Sequence, residues 1–77
     1  MLENSWIIKF VNNLGKDIGG HCDFDTKIIR ICRGLEEYDE LRITIHELLH
    51  ASDYYKDELW VDNVSRDIAD VLYKKMK

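Results

Sequence analysis

Beyond Gly34 the chain contains neither glycine nor proline for the rest of its 77 residues. All four glycines, Gly15, Gly19, Gly20 and Gly34, lie in the first half. Glycine and proline are the residues that most strongly interrupt helices. Turns and strands are therefore expected first and long helices second. From Glu37 to Ser52 nothing breaks a helix. Leu41, Ile45, Leu48 and Leu49 fall on one side of it, and Ile43, His46 and His50 on the other. A helix apolar on two sides is usually buried between layers.

"DYYKD" (53–57) is a short connection, and Asp57 suits the N-cap of a last helix over 58–76. The apolar stripe of that helix reads Val61, Val64, Ile68, Leu72 and Met76. So short a link makes the two helices antiparallel neighbours. Upstream, "SWIIKFV" (5–11) reads as a strand, with a short helix carrying Ile7, Phe10, Val11 and Leu14 as its competitor. "NNLGKDIGG" supplies turns. "HCDF" and "KIIRICR" read as two strands joined through Asp25 and Thr26 in a hairpin that Gly34 ends. The expected fold class is α+β: one domain over 1–77, with a small antiparallel sheet of about three strands packed on a two-helix hairpin.

Size and charge narrow the function. A chain this short buries only about 60% of its unfolded surface, so a bound metal would add useful stability. The net charge is −4 and the sequence pI about 5.2, and basic residues gather only in the terminal "YKKMK". That argues against nucleic acid as a partner, since phosphate binding needs a positive face. The lysines suit a helix C-terminus instead. No apolar run approaches the roughly 18 residues of a membrane span, and "MLENSWIIKF" lacks the parts of a signal peptide. A cytoplasmic protein is expected, with Cys22 and Cys32 reduced and serving as small apolar strand residues.

The chemistry concentrates in "HELLH" (46–50). Residues four apart on a helix share a face, so His46 and His50 can offer nitrogens to one ion at about 2.0–2.1 Å. Glu47 is rotated off that line. It is placed to reach a water held at the metal and act as general base. A catalytic zinc takes a third protein ligand and keeps one position open. Asp53, Asp57, Glu58, Asp62 and Asp67 follow the motif. On the last helix, about 100° per residue turns Glu58 roughly 60° from Val61 and Asp62 roughly 100°. The symmetry of the hairpin instead sets Asp62 level with both histidines, so the choice between Glu58 and Asp62 stays open here. Asp53, Asp67 or the acid that does not ligate can orient a histidine from behind. His21 is a further ligand candidate. Tyr54 or Tyr55 is a candidate donor to a developing oxyanion, though both are expected to pack around the hairpin turn.

With these residues set out, the chain resembles the zincin-type metallopeptidases, on "HELLH". It is most similar to small metallopeptidase-like proteins of bacteria and their phages. The resemblance rests on "WIIKFV" (6–11), "GHCD" (20–23), "IRI" (29–31), "HELLHA" (46–51) and "DELWV" (57–61). It spans most of the chain, and only the central motif is specific. It implies a minimal zincin-like domain with Zn2+ at His46 and His50, a catalytic Glu47, and Glu58 as third ligand. A looser similarity to phage-repressor-cleaving metallopeptidases would favour Asp62, but "DNVSRDIA" fits their pattern poorly. Hydrolysis of a peptide or protein substrate, paired with an edge strand, is the expected activity. The rival readings are a binding or regulatory module with a structural zinc, and a metal-free helical-hairpin module.

Overall fold

The computed structural model describes residues 6–15, 18–53 and 55–76. The chain runs through three strands, β1 (Ile7–Val11), β2 (Gly20–Asp23) and β3 (Ile28–Cys32). Two helices follow, α1 (Glu37–Ser52) and α2 (Glu58–Met76). The architecture is the expected α+β arrangement of a small sheet and a helical hairpin.

The sheet differs in one respect from the expected antiparallel form. Its order is β1-β3-β2, with β1 parallel to β3 and β2 antiparallel to β3. A tight turn over 24–27 forces β2 and β3 to be antiparallel neighbours. There the Asp23 carboxylate accepts from the Asp25 and Thr26 amides at 3.0 and 3.3 Å. β2 lies on the far side of β3 from β1, so the slot between them is left for β3. Residues 12–27, β2 included, thus serve as the long crossover a parallel pair requires. β3 lies at the centre, between β1 and β2, and its Ile29 and Ile31 are fully buried.

The layers stack as sheet, α1, α2. α1 packs on β2 and β3 with one side and on α2 with the other, as its doubly apolar surface suggested. No residue of α1 is fully buried, however. Asp57 caps α2: its carboxylate accepts from the Trp60 amide at 3.1 Å. The row of α2 set against α1 is Val61, Ser65 and Ala69, each fully buried. The expected stripe was broader and bulkier. Val64 is only half-buried, and Ile68, Leu72 and Met76 are exposed. Small side chains at i, i+4 and i+8 let the helices approach closely, while larger neighbours flank the contact.

Gly19 and Gly20 set how near the sheet comes to α1. A Cβ on Gly20 would meet Ile43 Cγ2 at 2.7 Å and Glu47 Cγ at 3.0 Å, and one on Gly19 would meet Ile43 Cδ1 at 2.5 Å. Only glycine allows that approach. No helix among the described residues is long and apolar enough to cross a membrane.

Candidate metal centre

His46 and His50 lie one turn apart on α1, and Glu58 opens α2 across the hairpin. Because Asp57 fixes the start of α2, the next residue is held at the mouth of the helix pair. The Glu58 carboxylate spans both rings, with Oε1 2.9 Å from His46 Nε2 and Oε2 3.0 Å from His50 Nε2. The two Nε2 atoms are 3.1 Å apart. Ligands on a tetrahedral zinc with bonds of roughly 2.0–2.1 Å sit about 3.3 Å from each other. The observed triangle is close to that size.

Proton counting sharpens the point. Each neutral imidazole carries one N–H and one lone pair, and an ionised carboxylate only accepts. If both Nε2 atoms carry hydrogen, Glu58 is satisfied but the two N–H groups face each other. If one carries hydrogen, the other lone pair faces a carboxylate oxygen. If neither does, all three contacts are repulsive. With an ionised Glu58, no assignment satisfies the triangle. A shared cation does, because three lone pairs then converge on one positive charge.

Asp62 takes a different place. Its Oδ1 is 3.7 Å from His46 Nδ1, on the far side of the ring from Glu58, and its Oδ2 is 3.3 Å from Arg66 Nη2. It stands behind His46, farther than a hydrogen bond, and is not one of the three converging groups. The other acids have other tasks or positions. Asp57 caps α2, the Asp53 carboxylate accepts from the Tyr55 amide at 3.1 Å, and Asp67 is exposed. The Tyr55 side chain is 91% exposed, which removes it as an oxyanion donor at the site. Tyr54 lies outside the described residues. His21 sits exposed on β2, paired in register with Arg30. It is not among the converging ligand atoms.

Glu47 turns toward β2, against Gly20. Burial raises its carboxyl above the ordinary carboxylate range. His46 and His50 oppose that rise, Glu58 adds to it and His21 opposes it. On the same face of β2 the Cys22 thiol is pushed up to about 11, by burial first and then by Glu47 and Asp23. It stays protonated at neutral pH and behaves as a small apolar strand residue. Cys32 is buried, and its thiol donates to the Ile18 carbonyl at 3.1 Å.

A shallow cleft of about 310 Å³ opens beside Glu47, lined by Ile18, Gly19, Gly20, Arg42, Ile43 and His46. A larger one of about 640 Å³ runs along His21–Asp25 and contains none of the triangle. The smaller is the relevant one, because it is the one that touches His46 and Glu47. Sequence reasoning overlooked Arg42 and Arg66, whose roles depend on helix packing, and the pair Gly19-Gly20. A double glycine directly before a strand was the signal for the last. Comparison with family models, with curated proteins and with solved structures finds no match.

Proposed function

We propose that the protein is a zinc-dependent peptidase with His46, His50 and Glu58 as metal ligands and Glu47 as general base. The observation that carries this is the convergence of two imidazole nitrogens and one carboxylate at 2.9, 3.0 and 3.1 Å from one another. Among the described residues three side chains converge, not four. That supports a site with an open position rather than a closed structural one. Zinc, when bound, polarises a carbonyl and eases ionisation of water. Glu47, half-buried and beside the triangle, accepts the proton of the attacking water as its oxygen bonds to the peptide carbonyl carbon. It returns that proton to the amide nitrogen as the C–N bond breaks, leaving a carboxylic acid and an amine, and the acid's proton then passes to the amine to give carboxylate and ammonium.

The cleft lies between α1 and the start of β2 at Gly19 and Gly20, and β2 is an edge strand of the sheet. An extended peptide adding to that edge brings a carbonyl alongside His46 and Glu47. Two free cysteines and an acidic surface agree with a reducing cytoplasmic setting and a peptide substrate rather than nucleic acid. The test is metal analysis of the purified protein together with peptide-library digestion by wild type and Glu47→Gln. One zinc per chain in both proteins, with cleavage only in wild type, is the expected result. Zinc with no cleavage in either would leave a structural site in a binding module. No zinc would overturn both readings.

A further inference from the structure

The edge of the sheet remote from the candidate site is β1. Its backbone polarity follows from its bonds to β3. The Ile7 amide donates to the Lys27 carbonyl at 3.0 Å, and the Val11 carbonyl accepts from the Arg33 amide at 2.7 Å. Residues 7, 9 and 11 thus turn their backbone groups inward to β3. Ile8 and Phe10 turn theirs outward, where among the described residues no strand meets them. The side chains add a second feature. Ile8 and Phe10 lie level with the fully buried Ile29 and Ile31 on the face toward α1, yet remain 42% and 44% exposed, and Ile7 is 52% exposed. α1 covers β2 and β3 and leaves this strand bare. An open apolar edge of this kind pairs readily with another strand.

We propose that β1 is the contact of a two-fold dimer, in which it pairs antiparallel with the β1 of a second copy, centred on Ile8. A two-fold axis through a sheet keeps each side chain on its own face, so it must pass level with a residue. Centring on Lys9 sets two lysines directly opposite, which is unfavourable. Centring on Phe10 sets Ile8 against the partner's Asn12 and leaves Ile7 uncovered. Centring on Ile8 sets Ile8 against the partner's Ile8, Trp6 against the partner's Phe10, and Ile7 against the stem of the partner's Lys9. It also joins the outward backbone groups of Ile8 and Phe10 to acceptors and donors. Lys9, a common guard of strand edges, here selects the register instead. The contact involves only residues 6–10 of each copy, small for a specific interface, so the dimer is concentration-dependent. It leaves β2 and the candidate metal centre free at the two outer edges of a doubled sheet.

Sedimentation across micromolar to near-millimolar protein tests this, with zinc binding and the circular dichroism melt as checks on folding. The wild type should shift from monomer to dimer, with the Ile8 and Phe10 amides gaining hydrogen-exchange protection as it does. Ile8→Lys should abolish the dimer while zinc binding is kept. Ile7→Lys should weaken it at least tenfold, and Ile7→Lys with Lys9→Glu should restore it, since residue 7 then faces an opposite charge. A register centred on Lys9 would give no such rescue. A wild type that stays monomeric throughout, a dimer insensitive to Ile8→Lys, or a dimer without protection at Ile8 and Phe10 would overturn the proposal.

Discussion

Two carboxylates near His46 divide the work by which ring nitrogen they face. Glu58 meets Nε2 and Asp62 lies beyond Nδ1. A carboxylate behind a ligating histidine fixes its tautomer and orientation. Asp62→Ala should therefore weaken zinc binding by about 10–100-fold without removing a ligand. Glu58→Ala removes one and should cost more. Competition against a chelating indicator distinguishes the two, and equal losses would mean that Asp62 ligates. That His46 and His50 stand side by side on α1 was readable in the sequence, since i, i+4 geometry needs only a helix. The choice between Glu58 and Asp62 was not. Which of them stands nearer the two Nε2 atoms depends on the rotation of α2 about its axis and on where the hairpin turns, and Asp57 bears only on where α2 begins. Arg66 was hidden for the same reason, because it matters only through Asp62.

The contact between sheet and α1 depends on the absence of a side chain. At Gly20 a methyl group would press on Ile43 and on Glu47 together. Gly20→Ala should destabilise the fold by about 1–3 kcal/mol, the usual cost of overpacking. It should also displace Glu47, so hydrolysis falls further than zinc affinity. Urea unfolding and zinc titration of the variant check both halves. At the far end of the hairpin α1 and α2 are joined by Tyr38, whose hydroxyl donates to the Asp70 carboxylate and whose ring meets Tyr73 edge-on. The hydrogen bond to Asp70 raises the Tyr38 hydroxyl above its ordinary range, with burial adding to it. A group raised on folding stabilises fully below its unfolded pKa, about 10 for tyrosine. The contribution is lost as pH rises through the higher folded value. Tyr38→Phe should lose stability at neutral pH and show a flatter alkaline decline in thermal melts. The helices themselves were readable to the residue because no breaker interrupts them. The parallel β1–β3 pairing was not, because strand order depends on which strand wins the centre of the sheet. The inner faces of β1 and β3, Ile8 with Phe10 and Ile29 with Ile31, are equally apolar, so composition does not tell them apart.

Among the described elements, the helical hairpin is the outer layer and meets the sheet through α1. Its closure rests on a thin row, Val61, Ser65 and Ala69, none of them large. So slender a contact supplies little apolar burial, at about 25 cal/mol per Å². The triangle of His46, His50 and Glu58 crosses the same junction at the end near the turn, and Tyr38 with Asp70 ties the other. A metal at the triangle would therefore bind the folded hairpin and not the open one. Its stabilisation follows mass action, about 2.7 kcal/mol at free zinc one hundredfold above the dissociation constant. In a chain of 77 residues whose core contributes on the order of 3–5 kcal/mol, that is a large share. Thermal melting with increasing zinc should raise the midpoint continuously, and a chelator should return it to the metal-free value. Glu47→Gln should follow the wild-type curve, because Glu47 lies near the triangle without being one of its three converging groups. His50→Ala should show no zinc response at all. If Glu47→Gln lost the response as well, Glu47 would be a ligand and the division between holding the metal and moving the proton would fail.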